Sequence, residues 1–478
     1  MTHRIDRRTL MNLAAGGLGW AGLVSLLAGQ GRGSPSREST GGPSVGHFAP
    51  RARRAVQICL TGGLSQVDSF DPKPELTRRS GQPLPADAKP ETFFGSSGAL
   101  TGSHWRFRPR GESGLEISDL FPHLGSVADR LTVIRSMVAE TANHTPATFQ
   151  QLTGFRSNGF PVLGSWVSYA LGSESDELPT FVVLPDARSL PSGGAANWGA
   201  GFLPARHQGT PFRSGRDPVA DLSLPAGIEA DDDAAARRLL TRLERERMRD
   251  RPDDLLLAAR MRSYELAARM QTAVPEAIEF RDETAATLAE YGVGDATTDD
   301  AARRCLLTRR LLERGVRFIQ LYSGGSFGGS PRHGWDSHEN CLVDHAAEAA
   351  RIDRPIAALI RDLDRRGLLD ETLILFTTEF GRTPFASGAP GMVGLGRDHN
   401  PEGFSIWMAG AGLRGGMAYG ATDELGWKAA ENAVTWPDLH ATVLHLLGLD
   451  HERLTFYHDG IERRLTNVHG RVIDEILA

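Results

Sequence analysis

Short apolar runs recur along the chain, and each stops at a polar or glycine-rich segment. Ala55-Val56-Gln57-Ile58-Cys59-Leu60 ends at Thr61-Gly62-Gly63, and similar runs occupy Leu131–Ile134, Phe181–Leu184, Val316–Leu321, Leu373–Phe376 and Phe404–Met408. Runs without polar alternation read as strands buried on both faces. Between several of them, apolar residues fall at helical spacing in Val162–Leu171, Ala301–Leu312, Ala346–Leu363 and Pro437–Leu447. This alternation predicts an α/β protein with a mostly parallel central sheet, whose ligands would sit beyond the carboxyl ends of the strands. Two segments interrupt the pattern. Ser189–Pro218 is a long Gly/Pro-rich loop carrying Asn197, Trp198, Phe202 and His207, and 230–271 mixes dense Arg, Asp and Glu with helically spaced Leu and Met. The second predicts a solvated helical excursion.

The first residues read as an address. Arg7-Arg8 precede a mildly apolar, glycine-diluted stretch from Leu10 to Leu27, as in a twin-arginine export signal. The expected organisation is a signal segment over 1–29, a Gly/Ser/Pro/Arg-rich linker over 30–50 and one domain over 51–478. The expected location is periplasmic or extracellular. The stretch is too dilute for a spanning helix, so membrane contact would be limited to an uncleaved signal anchor. A formal net charge of −6 leaves no basic surface for nucleic acid. The 3 cysteines, Cys59, Cys305 and Cys341, form neither a disulfide framework nor a paired zinc motif.

Candidate chemistry gathers just after predicted strands or at helix starts. Gly62-Gly63 would let the chain turn sharply toward Asp68 and Asp71; a plain turn with capping aspartates is the alternative. Asn143-His144-Thr145-Pro146 opens a helix, with proline well placed in its first turn and backbone N–H groups suited to an oxyanion; here the alternative is a simple cap. In Trp335-Asp336-Ser337-His338, alternation on an extended segment would aim Asp336 and His338 to one side. Their oxygen and imidazole donors suit zinc, manganese and related divalent ions. Glu379 and Arg382 directly follow a strand, and Arg397, Asp398 and His399 directly precede another. Either arginine could hold an anion bidentately.

In order, these motifs resemble the exported, sulfatase-like "domain of unknown function 1501" family, within the alkaline-phosphatase and sulfatase superfamily. The resemblance runs from about Ala55 to Gly448. It rests on Gly62-Gly63-Leu64-Ser65-Gln66-Val67-Asp68-Ser69-Phe70-Asp71-Pro72-Lys73-Pro74, Asn143-His144-Thr145-Pro146, Trp335-Asp336-Ser337-His338, Glu379-Phe380-Gly381-Arg382-Thr383-Pro384, Gly396-Arg397-Asp398-His399 and Thr422-Asp423-Glu424 followed by Gly426. It implies a three-layer α/β/α alkaline-phosphatase-like fold. Set against true sulfatases, the chain departs in its catalytic set. His144 stands at the position of the modified nucleophile and Thr148 at that of the following arginine; Gly62-Gly63 replace an acidic pair, and Glu379-Phe380 replace Asp-His. Formylglycine chemistry therefore does not fit.

The resulting expectation is a metal-dependent hydrolase of phosphate or sulfate esters, acting on a small-molecule or polysaccharide ester. Thr145, His144 and Arg382 would be catalytic, and Arg397 and Asn197 would bind substrate. Asp68, Asp336, His338, Glu379, Asp398 and His399 would supply ligands to a zinc, calcium, magnesium or manganese ion. The alternative is a non-catalytic protein that binds an anion or polysaccharide on the same scaffold.

Overall fold

The computed structural model describes residues 46–85, 92, 97–213, 218–219, 222, 224, 227–250, 255–325, 333–389 and 391–478. The expected signal segment and most of the expected linker lie outside the described residues. The chain divides into two compact units. The larger comprises Pro43–Ser175, Pro179–Ser214 and Glu279–Ala478, and the smaller includes Gly215–Ile278. Within the smaller unit the chain forms two helices, Ala230–Asp250 and Leu255–Ile278. Among the described residues, no helix is long and apolar enough to cross a membrane.

The larger unit is built on an eight-stranded sheet. Its strands are β1 (Arg54–Leu60), β2 (Leu131–Met137), β3 (Phe181–Leu184), β4 (Thr210–Pro211), β5 (Phe318–Ser323), β6 (Thr372–Thr378), β7 (Phe404–Ala409) and β8 (Met417–Tyr419). Their spatial order is β8-β2-β7-β6-β1-β5-β3-β4. Only the two pairings of β7, with β2 and with β6, are antiparallel; every other pairing is parallel. All residues of β3, β5, β6 and β7 are buried, which requires cover on both faces and explains why these strands read as unbroken apolar runs. Each buried Leu, Ile or Phe contributes about 1.5–3 kcal/mol of transfer free energy. The architecture is thus α/β with a mostly parallel central sheet. The Ser189–Pro218 segment is not the structureless loop its composition suggested: it carries short 3-10 turns at Gly194–Trp198 and Ala205–His207 and the small edge strand β4.

One edge of this sheet collects the candidate chemistry for a topological reason. The parallel strands β1, β5 and β6 all end there. Two antiparallel steps return β2 to the same direction, so it ends there too, while β7 begins there. The segments after β1, β2, β5 and β6 and before β7 are therefore neighbours. A three-stranded antiparallel sheet of Ser97–Leu100, Gly381–Ser387 and Arg397–Asn400 stands beside them and pairs Arg382 with His399. At Gly62 the backbone takes φ +121°, and a Cβ there would lie 2.3 Å from the Asp336 nitrogen. Only glycine allows the β1 loop and the Asp336 segment to approach so closely.

Candidate metal centre

Four side chains meet around one oxygen. Asp336 Oδ1 lies 3.3 Å from His144 Nε2, 2.9 Å from His338 Nε2 and 3.2 Å from His399 Nε2. The Arg382 guanidinium donates to the same oxygen at 2.8 Å. His338 Nε2 and His399 Nε2 are themselves 3.0 Å apart. Ligand atoms of His144, Asp336 and His399 form one group compact enough for a metal ion, and those of His338, Asp398 and His399 form a second that shares His399.

The rings are set by their other nitrogens. His399 Nδ1 faces the Ala142 carbonyl at 2.6 Å. A carbonyl can only accept, so Nδ1 carries the proton and a neutral His399 turns its Nε2 lone pair toward the centre. Burial keeps this imidazole neutral, lowering its pKa to about 3. His144 Nδ1 faces Glu379 Oε1 at 2.9 Å, and the same oxygen accepts from the Gly62 N–H at 2.7 Å. A carboxylate behind an imidazole is the usual way to orient a metal-ligating histidine. Burial would lower the His144 pKa, but its bonds to Asp336 and Glu379 outweigh it and raise the value. For Asp336, burial opposes ionisation, while Arg382 and the three imidazoles hold the carboxyl far below its usual range. In His338 burial dominates and lowers the pKa.

The donor set fits a divalent ion. With His399 neutral, its Nε2 lone pair and the Asp336 carboxylate oxygen are two acceptors only 3.2 Å apart, a contact that asks for a cation between them. Imidazole nitrogens with one carboxylate suit zinc and the later first-row metals better than calcium or magnesium, which prefer oxygen. Access is restricted: the side chains of His144 and His338 are only 12% and 8% exposed.

Of the remaining expected residues, only Asp398 belongs to a ligand group. Asp68 belongs to neither ligand group; its carboxylate accepts from Arg397 at 2.7 Å, Ser65 at 2.5 Å and the His104 N–H at 2.8 Å. Glu379 touches His144 rather than joining the ligand groups, and its Oε2 is buried with no hydrogen-bond partner among the described residues. Asp398 Oδ1 accepts from the His399 N–H at 2.8 Å and lies 3.7 Å from His338 Nδ1. Arg397 is fully buried and also donates to the carbonyls of Thr383 and Gly102. Arg382, equally buried, donates to the carbonyls of Gly62, Gly63, Trp335 and Arg397 as well as to Asp336. Both arginines therefore serve protein groups. Thr145 Oγ1 shares a short hydrogen bond with Ser192 Oγ. Asn197 is buried and donates to the Ser192 carbonyl at 2.7 Å, which makes it a support for this loop.

Sequence reasoning gave no role to Ser192, His345 or Gln66, the last of which it quoted only as part of a motif. Gln66 exchanges two hydrogen bonds with the Arg382 backbone, at 2.8 and 3.0 Å, and His345 Nε2 accepts from the Ser65 N–H at 3.1 Å. Their partners are remote in sequence, so no local pattern announces them.

The family model described as protein of unknown function, DUF1501, matches residues 52–477. No curated protein matches the chain. Among solved structures, PsFucS1 sulfatase from Pseudoalteromonas sp. is similar at 14% identity, with 97% of this chain and 77% of that chain covered and a TM-score of 0.37. Phosphonate monoester hydrolase SpPMH from Silicibacter pomeroyi is similar at 13% identity, covering 75% of this chain and 71% of that one, with a TM-score of 0.33. A mutant of TAB5 alkaline phosphatase with Mg bound in the M3 site shows 11% identity, coverage of 84% and 99%, and a TM-score of 0.37.

Proposed function

The chain belongs to the family of proteins of unknown function DUF1501, and on that scaffold we propose an exported, metal-dependent hydrolase of phosphate or sulfate esters. The observation that carries this reading is the convergence of three imidazole nitrogens on Asp336 Oδ1, with two of the rings oriented from behind by Glu379 and the Ala142 carbonyl. His144, Asp336, His338 and His399 would hold the ion. Bound there, it would polarise an ester oxygen and offset the negative charge that develops on it.

The remaining roles fall to the chain itself. Both ring nitrogens of His144 face carboxylates, so Thr145 is the nucleophile of this proposal, its hydroxyl held by a hydrogen bond with Ser192. Thr145 also lies in the first turn of the helix His144–Thr153, where backbone N–H groups favour an oxyanion. Arg382 acts as a positioning residue by fixing the Asp336 carboxylate. Export rests on the Arg7-Arg8 pattern.

Metal analysis of the purified protein, with hydrolysis of aryl phosphate and aryl sulfate esters, tests the reading. His338→Ala and His399→Ala should lose metal and activity together, while Thr145→Ala should lose activity and keep metal. Full activity in Thr145→Ala removes the nucleophile assignment. A wild-type protein that binds metal but hydrolyses nothing favours a non-catalytic binding protein. That second reading has support in the engagement of Arg382 and Arg397 by protein groups.

A further inference from the structure

We propose that Ser192 is a positioning residue for Thr145: it accepts the hydrogen bond of the Thr145 hydroxyl and so leaves the lone pairs of Thr145 Oγ1 turned toward the ester. The inference rests on the reading of Thr145 as the nucleophile and adds the group that decides how that nucleophile points.

The contact joins two separate segments. Thr145 is the second residue of the helix His144–Thr153, directly after His144, whose ring lies at the metal centre. Ser192 comes 47 positions later, between β3 and the 3-10 turn Gly194–Trp198. The branched Cβ of a threonine restricts its χ1, but the hydroxyl hydrogen still rotates until a partner fixes it. Two hydroxyls carry two protons, and the bond between them uses one. Among the described residues, neither hydroxyl bonds to any other group. With Ser192 as donor, one lone pair of Thr145 would be occupied. With Thr145 as donor, both its lone pairs stay free for the phosphorus or sulfur atom, and the productive arrangement is this second one.

The loop is braced so that Ser192 stays in place. At its start, the buried Asp186 accepts from the Gly324 N–H at 2.9 Å and from the Arg188 guanidinium, and Arg188 reaches on to the buried Glu348 at 2.8 Å. These bonds tie the loop to the residue after β5 and to the helix Cys341–Arg365. Beyond Ser192, the fully buried Asn197 donates to the Ser192 carbonyl at 2.7 Å. Gly193 has φ +91°, and a Cβ there would lie 3.0 Å from the Phe149 ring. Glycine thus lets the loop close on the very helix that carries Thr145. A partner already fixed in this way orients the hydroxyl before substrate arrives, with no ordering left to do at the moment of reaction.

Steady-state hydrolysis of aryl phosphate and aryl sulfate esters by the full chain with its bound metal tests the role. Ser192→Ala should lower kcat about tenfold, the scale of one hydrogen bond, and leave KM within about twofold. Bound metal and the denaturant midpoint should match wild type. Ser192→Thr returns the hydroxyl and should restore kcat. Leu190→Ala, in the same loop with a 53% exposed side chain, should keep the wild-type kcat. Unchanged kcat in Ser192→Ala, a loss confined to KM, metal or stability lost along with activity, no rescue by Ser192→Thr, or an equal loss in Leu190→Ala would each overturn the proposal and leave the hydrolase reading standing. A wild-type protein that hydrolyses neither ester overturns that reading, and full activity in Thr145→Ala overturns its nucleophile; the role of Ser192 falls with either.

Discussion

Asp68, in the short helix Gln66–Ser69, and Asp336 sit in segments at the same edge of the sheet, both are buried, and both were expected to hold metal, yet they have opposite surroundings. Asp336 shares one oxygen among three imidazoles and one guanidinium nitrogen. Asp68 meets Arg397 in an ion pair with both side chains fully buried. Imidazoles can give up their protons and offer lone pairs, whereas a guanidinium can only donate and stays charged. The first arrangement can exchange its protons for a metal ion. The second cannot, and it serves to tie the first loop of the sheet to the segment before β7. A buried carboxylate near a strand end is therefore no sign of a ligand until its neighbours are known.

The contrast is tested most strongly by removing each charge. Asp336→Asn should bring bound metal close to zero and reduce ester hydrolysis on the order of 10³-fold, the scale of several kcal/mol of lost charge stabilisation. Retained metal in that variant would break the distinction. Asp68→Asn should instead leave Arg397 buried without its counter-charge and destabilise the fold by about 3–5 kcal/mol. Denaturant unfolding measures this, and metal per folded molecule should not change. Glu379→Gln sharpens the comparison at one remove from the ligands. It should weaken metal affinity by about 10–100-fold through loss of the negative charge behind His144, read by competition with a chelator. The smallest effect concerns acid. The Asp68 carboxyl, opposed by burial but held by Arg397 and His104, is lowered from 3.8 to about 2. Its contribution to stability is complete above 3.8 and disappears as the pH falls through about 2. The loss of wild-type stability between pH 5 and pH 2 should thus be smaller in Asp68→Asn.

The same contrast marks how far the sequence could be read. The strands were legible because two covered faces leave no polar alternation, as in Leu373–Phe376 within β6. The pairing of Asp336 with His338 was legible from alternation on an extended segment, and their side chains do meet at 2.9 Å. The partnership of Asp68 with Arg397 was not, because it joins a short helix to a strand 329 positions away. Nor was the small sheet that carries Arg382, His399 and Ser97–Leu100, whose short strands lack a distinctive pattern. Thr145 was visible as a helix start, but Ser192 lies in a Gly-rich loop whose composition says nothing about what it faces.

The topology that gathers His144, Asp336, His338 and His399 has a consequence for the birth of the protein. These residues come from three well-separated stretches of chain, and no two stretches are joined until β2, β5, β6 and β7 have found their places in the sheet. An unfolded chain offers an ion only the local Asp336–His338 pair, so the full set of donors exists in the native state alone. Metal uptake would then be a late event in maturation, and an ion once captured would act as a clasp across strands that contact order makes slow to assemble.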